Sequence, residues 1–342
     1  MDSSVYFVKR NELKMSKSSV TFRRALSAAF VAVSVFATIP ADAAPFPEKA
    51  IRMVVAFPPG GGGDFMARIM GEKLGDAWRQ PVITDNRPGA SATIGAAIAA
   101  KAPADGYTLF LVTTELVIAP NFVRSLTYDP VRSFAPITQT GRQSYIVAAH
   151  PSLGVSTVKE LIATLKAKNG RVNFGSAGAG SPGHLSGELF KLSTGTQMTH
   201  IPYKGSGPAL TALFSGETSV MFSNSLPVLP HIRSGRLRAI AITSRERLAN
   251  LPDLPTVAES GLPGFETSGW TGIVAPAGTP TELIEKFHRQ LVIILAQSDL
   301  REQFARGDIE PIGNSPREFG AHIAREQEKW AKVVKQAGLV VE

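Results

Sequence analysis

The stretch "AIRMVVAFPPGGGGDFMARIM" (residues 50–70) changes character twice. Residues 50–57 form a nearly unbroken apolar run, the pattern of a strand buried on both faces. From Asp64 the apolar residues fall at 65, 66, 69, 70 and 74, the spacing of one helical face, and Asp64 sits where an N-cap would stand. Two prolines and four glycines join the two. Strand, glycine turn, helix is the first half of a βαβ unit. A tight turn needs one or two glycines. The surplus here would aim free backbone N–H groups, and the positive end of the helix dipole, at whatever sits above the strand. A loop that only turns tightly is the other reading.

The same alternation continues. Strands are expected at 81–86, 107–114, 145–151, 171–176, 198–203, 220–224 and 237–243, and helices at 91–102, 157–168, 184–194 and 208–216. This predicts an α/β fold of parallel sheets covered by helices. Thr157–Glu160, Thr256–Glu259, Thr279–Glu282 and Ser315–Glu318 each have the spacing of a capping box, with Pro280 and Pro316 placed for a first helical position. The C-terminal third is therefore expected to be mostly helical, over about 280–297 and 316–337. Segments 140–148 and 267–280 read as crossovers between two domains. The expected organisation is a discontinuous first domain, 44–142 with 266–342, and an inserted second domain, 143–265.

Ahead of this lies a targeting pattern. Lys17, Arg23 and Arg24 precede an apolar run over 25–39, and "ADAA" (41–44) offers a cleavage site after Ala43. The run is shorter than the ~20 residues of a spanning helix, so a signal peptide over 1–43 is expected rather than an anchor. Met15 opens a more ordinary signal sequence than Met1 does. Removing 1–43 takes away six basic and three acidic residues and lowers the net charge from +8 to +5. Export and the lack of a basic run with interleaved aromatics argue against nucleic acid, while a mild positive field suits an anionic small molecule. Cysteine is absent, which excludes disulfides, thiolate metal sites and a cysteine nucleophile.

Two more glycine-bearing loops follow strands: "GSAGAGSPGHL" (175–185), where Ser181 can cap a helix and Pro182 suits its first turn, and "YKGSGPAL" (203–210). Three loops at strand C-terminal ends point to one cleft, the place where open α/β sheets bind ligands. The first loop lacks a P-loop lysine, and neither it nor the second has dinucleotide-fingerprint spacing. Ala179–Gly183 nearly matches a nucleophile elbow around Ser181, yet the next residue, Pro182, has no N–H for an oxyanion. The six histidines are scattered and form no His-x-x-x-His pair, so no metal or cofactor is expected. Glu115, after the strand at 107–114, is the acid best placed for the cleft; a solvated loop position is the alternative. Lys204 reads equally as long-range attraction or surface. Trp270 is expected in hinge or core packing rather than against a ligand.

"FPPGGGGDFMAR", "DNRPGASATIGA", "APADGYTLF", "NFGSAGAGSPGHLSGELF", "HIPYKGSGPAL", "LPHIRSGRLRAIAITS" and "LPDLPTVAESGLPGFE" occur in that order. Together, over about 46–340, they resemble the Bug-type (Bordetella uptake gene) periplasmic solute-binding receptors of tripartite tricarboxylate transporters. The resemblance implies a two-domain Venus-flytrap of the type II periplasmic-binding-protein kind that performs no reaction. It implies a carboxylate ligand held by backbone N–H groups and water, and membrane permease subunits as partners. Carried over position by position, it implies a site of Phe57, Pro58, Gly60, Gly61 and Asp64; Thr113 and Thr114; Ser176, Ala177, Gly178 and Ser181; Tyr203 and Lys204; Ser223 and Asn224. Many members have Asp at the position of Ser223 and a small polar residue near Glu115, departures that bear on ligand choice. The expectation is a monomer in the periplasm. A ligand-sensing partner of a signalling receptor is the second reading, and a serine hydrolase the third.

Overall fold

The computed structural model describes residues 46–339 apart from 124 and 249. The targeting segment and its cleavage site lie outside the described residues. From Lys49 onward the chain is one compact unit, and among the described residues no helix is long and apolar enough to cross a membrane.

The opening stretch folds as its pattern dictates. Strand β1 (Ile51–Val55) leads through the glycine loop to helix α1 (Gly62–Trp78), then to β2 (Val82–Asn86), α2 (Thr93–Ala100), β3 (Thr108–Thr113) and a single turn, α3 (Glu115–Ile118). β1 lies between β2 and β3, parallel to both. After the long strand β4 (Phe134–Ala149) come α4 (Val158–Lys168), β5 (Asn173–Ser176), α5 (Pro182–Thr194), β6 (Thr199–Pro202), α6 (Ser206–Ser215), β7 (Val220–Asn224), α7 (Ser225–Arg233) and β8 (Arg238–Ile242). β5 is parallel to β6 and β7. The chain returns through β9 (Ser268–Pro276) to α8 (Thr281–Leu295), α9 (Ser298–Arg306), β10 (Ile309–Pro311) and α10 (Pro316–Gln336).

The strands join in the order β2-β1-β3-β9-β4-β7-β5-β6, with β8 and β10 also on β4. The sheets are not wholly parallel, as alternation suggested: β9 is antiparallel to β3 and β4, and β4 is antiparallel to β7, β8 and β10. A buried apolar run carries no mark of strand direction, so the pattern did not reveal this. Along the end of β4, Val147 and Ala149 enter one core with Phe174, Phe190 and Phe222, while Ile146 and Ala148 enter another with Leu213 and Met221. Helices thus cover both faces of this half, as the two-residue period of a strand requires.

Some helix starts differ from expectation. Gly61, not Asp64, is the N-cap of α1, which leaves Asp64 in the first turn. The Thr279 hydroxyl donates to the Pro276 carbonyl, and α8 begins after Pro280 with no side-chain cap. Thr256 and Glu259 do exchange both bonds, at 2.8 and 3.0 Å, but they close a turn and not a helix. Ser315 and Glu318 form the full capping box of α10 with Pro316 at its start. Helices α7 and α9 and strand β10 were not foreseen; two prolines inside α7 hide its pattern.

Helix α10 closes the first half. Phe319, Ile323, Trp330 and Val333 line its buried face, in one core with Val54, Phe110 and Trp270. The Phe319 ring fills the space over Gly272 in β9, where an added Cβ would lie 2.2 Å from a ring carbon. Gly272→Ala is therefore expected to destabilise the protein by about 1–3 kcal/mol through overpacking, read as a lower urea midpoint with unchanged slope.

Candidate functional site

Two adjoining cavities open at the C-terminal ends of β1 and β3. The first, about 790 Å³, is walled by the glycine loop and the start of α1, by Thr113–Glu115, by Tyr145 of β4, Asn224 of β7, Trp270 of β9 and the α9–β10 connection. The second, about 960 Å³, lies between the loop 88–92, residues 118–123 and the loop 177–181. Phe57 and Glu115 line both, so the two are compartments of one cleft.

The four glycines have separate tasks. Gly60 has φ +85°, a conformation costly for other residues. A Cβ on Gly63 would stand 2.7 Å from the Phe57 ring, which packs on the first turn of α1. Gly62 meets nothing within 4 Å and Gly61 only the Pro58 carbonyl at 3.6 Å. These two leave the backbone bare toward the first cavity, and the first-turn amides of a helix have no intrahelical acceptor.

Asp64 holds this loop from beneath. It is 3 % exposed and accepts from the Gly60 N–H (2.9 Å), Arg68 Nε (2.9 Å) and Asn86 Nδ2 (2.8 Å). The Arg68 bond, against burial and aided by Gly60 and Asn86, pulls its carboxyl down to about 2. With its lone pairs engaged, Asp64 anchors the loop and lines neither cavity.

The second loop is tied more tightly than its glycines suggested. The Gly178 N–H reaches Ser176 Oγ at 3.2 Å, Gly180 N–H reaches His184 Nδ1 at 3.0 Å and Ser181 N–H the Gly178 carbonyl at 3.2 Å. Ser181 Oγ caps α5 at the His184 N–H. Ser176 Oγ also meets His200 Nε2 at 2.7 Å, and the His184 and His200 rings stack at 3.7 Å. Burial, with the charge of His184, lowers His200 to about 4. Glu188 ends below its usual range: burial opposes ionisation, but His184 and Lys191 outweigh it.

Of the expected residues, Phe57, Gly60, Gly61, Thr113, Thr114, Glu115 and Asn224 line the first cavity. Pro58, Ala177, Gly178 and Ser181 line the second, with Phe57 and Glu115. Five lie outside both. Asp64 and Ser176 are consumed by the bonds just described. Tyr203 donates its hydroxyl to Glu217 at 2.8 Å, and Lys204 is exposed on the loop after β6. Ser223 is buried in β7, one residue from Asn224 and so facing the other side of the sheet.

Sequence reasoning missed several parts of the wall, among them Tyr145 of β4, residues 118–123 and the α9–β10 connection. Gly89–Ala92 lines the second cavity, and Ala90, Ser91 and Ala92 all have positive φ (45°, 53° and 72°). Only the run of small residues after Pro88 signalled it. Trp270 packs in the core as expected, 2 % exposed and edge-on to Phe319 and His322, yet it also lines the first cavity.

Residues 66–339 match the family model described as "Tripartite tricarboxylate transporter family receptor". Protein BugT of Bordetella pertussis is 38% identical over 301 residues, covering 87% of this chain and 92% of BugT. A solved R. palustris protein, Rpa4515 with adipate, is 34% identical with a TM-score of 0.75, covering 87% of this chain and all of that one. MatC from Rhodopseudomonas palustris, solved with bound malate, is 29% identical with a TM-score of 0.70, covering 84% and 100%.

Both acid transitions follow from the shifted groups. Neutral His200 and His322, each lowered to about 4 mainly by burial, favour the fold above the unfolded value near 6.5, and that gain is lost as pH falls from about 6.5 to 4. Asp64 contributes above its unfolded value near 3.9, and its share is lost toward pH 2. Calorimetry across this range should show His200→Gln flattening the first slope and Asp64→Asn the second. Asp64→Asn should also cost about 1.5–3 kcal/mol at pH 7 as a charge-assisted bond is lost. Ala92→Gly should raise stability by up to about 1 kcal/mol by relieving a left-handed residue, seen as a higher melting temperature.

Proposed function

This chain belongs to the tripartite tricarboxylate transporter receptor family, and from that premise we propose how it captures a small organic carboxylate and which residues hold it. As a receptor of this family it is a periplasmic solute-binding protein of two-domain α/β fold and not an enzyme. In our reading a carboxylate of the solute enters the first cavity and takes the bare amides of Gly61–Gly63, the Thr114 hydroxyl and, once the cleft closes, the indole N–H of Trp270, which is buried in this state. The observation that carries this is the pair Gly61 and Gly62, open toward the cavity at the positive end of α1. Phe57, Pro58, Gly60, Thr113, Glu115, Ala177, Gly178, Ser181 and Asn224 complete the walls. Asp64, Ser176, Tyr203, Lys204 and Ser223 act on the site through the loops they brace, or not at all.

The magnitudes suffice. Micromolar affinity requires about 8 kcal/mol, and each hydrogen bond to a charged group contributes roughly 1.5–3 kcal/mol. Four or five such donors supply that order of energy with no lysine or arginine, less the cost of ordering. Relatives solved with adipate and malate support a small carboxylate as the class of solute.

The domains are 44–142 with 266–342, and 143–265, joined through β4 and β9, whose pairing runs to Ser144 and Ser268. Closure is a hinge motion at 140–146 and 265–271, selected by the bound acid. Asp308, on the first domain, accepts from Ser225 and, at 3.3 Å, from Asn250 on the second, a contact that such motion would make or break. The signal peptide is cleaved after Ala43, and the receptor works as a monomer that presents its acid to the transporter's permease subunits.

Native mass spectrometry of the purified protein, followed by a thermal-shift screen of carboxylic acids, tests this reading. An acid at ~100 times its dissociation constant should add about 2.7 kcal/mol of stability. If no acid of any kind raises the melting temperature, the reading is wrong.

A further inference from the structure

We propose that the preferred acid has a single carboxylate, an aromatic or branched apolar body, and an ammonium or hydroxyl donor, unlike the diacids adipate and malate. This rests on the receptor reading above and narrows it.

Charge is the first argument. Glu115 borders both cavities and is half-buried, and it accepts from Thr113 Oγ1 at 2.5 Å. The basic side chain on the wall of the first cavity is Arg306, which is exposed and faces Glu302 at 3.8 Å. On the second wall stand His184, His200 and Glu188, and Glu188 is already paired with Lys191 at 2.8 Å. One carboxylate beside the glycine amides finds donors. A second one extending toward Glu115 meets a like charge, and among the described residues the two walls offer no buried lysine or arginine to offset it, whereas an ammonium or hydroxyl there finds an acceptor.

Orphaned polar atoms are the second. Trp270 Nε1 and Asn224 Oδ1 are both buried without a hydrogen-bond partner, and both residues line the first cavity, although neither atom is itself open to it in this state, so that a guest meets them only as the proposed hinge closes. Buried polar groups are rarely left so unless something else supplies the bond. The indole is a donor suited to a carboxylate. The amide oxygen is an acceptor, like Glu115, and calls for a donor on the same guest.

Shape is the third. Phe65 and Leu226, 47% and 48% exposed, stand on the cavity wall at the starts of α1 and α7. Phe57, Met66, Tyr145 and Ile309 extend the apolar lining. A volume of about 790 Å³ falls among pockets of roughly 300–1,000 Å³ that enclose bulky molecules, more than a four-carbon diacid fills.

Calorimetric titration of the full-length mature protein decides the matter. One series is L-phenylalanine, L-tyrosine and 3-phenyllactate; the other is adipate, malate and citrate, with 3-phenylpropionate as the acid lacking a donor. At least one of the first series should bind ten times more tightly than every member of the second, and more tightly than 3-phenylpropionate. Glu115→Gln should weaken that binding at least tenfold while strengthening adipate, with little change in the melting temperature. Equal or tighter binding of a diacid, or a preference that Glu115→Gln leaves unchanged, overturns the proposal and leaves the receptor reading standing. Failure of every acid in both series also overturns the proposal, whereas the receptor reading falls only if the wider screen of carboxylic acids finds no ligand either.

Discussion

The pairing of β4 with four other strands is the constraint on which the molecule turns. Over its first part this 16-residue strand bonds to β9 and β10, and over its last part to β7 and β8. Its register shifts between Pro136 and Thr138, between Gln139 and Gly141, and between Val147 and Ala148. Irregularities of this kind increase local twist, which lets one strand leave one sheet and enter the next. Its buried polar side chains find partners on the way: Thr138 at the Asn314 carbonyl, Thr140 at Thr271, Ser144 at Ser244. The first cavity lies along this passage, with Gly141, Gln143 and Tyr145 in its wall.

A chain of contacts runs from that strand to the site. Helix α10 seats Phe319 over Gly272, and the same ring stands edge-on to Trp270 two residues away in β9. The Trp270 N–H bonds to Thr114 Oγ1 at 3.0 Å, which fixes the end of β3 where Glu115 begins its short turn. The position of the indole and of the one shared carboxylate is thus set by core packing more than 300 residues into the chain. The site needs no rigid loop of its own at this point, because strands and a buried helix hold it.

The glycine turn was legible because its signal is local. A strand run, a surplus of glycine and a helix period follow one another within 50–74, and Gly60 and Gly63 have a conformational and a steric reason, while Gly61 and Gly62 leave the backbone bare. The capping box at Ser315 was legible for the same reason. Strand direction at β9 was not, since Trp270 and its neighbours show burial and nothing else. The second loop misled more instructively. Its glycines promised free amides, but Ser176, His184 and the Gly178 carbonyl take them up. Those partners sit two to four residues away, and only the closed loop brings them within reach. Asp64 illustrates the same limit: an acid at a helix start signals a cap or a ligand contact, and here it braces Gly60 instead.

In the proposed site, this asymmetry between the loops decides how an anion is held. The second loop has its Gly178, Gly180 and Ser181 amides engaged and its histidines stacked. The first, with Gly61 and Gly62 bare, keeps donors available. In the proposed site the first-loop amides orient one end of a solute and leave the opposite side to Glu115, Asn224 and apolar rings. The cavity is therefore polar in a directional sense, donor-rich at one wall and acceptor-rich at another, though its field is weak. A guest matched to it gains from being unlike at its two ends. On this proposal the carboxylate at Glu115, not the number of basic residues in the chain, bears most directly on which acids are admitted.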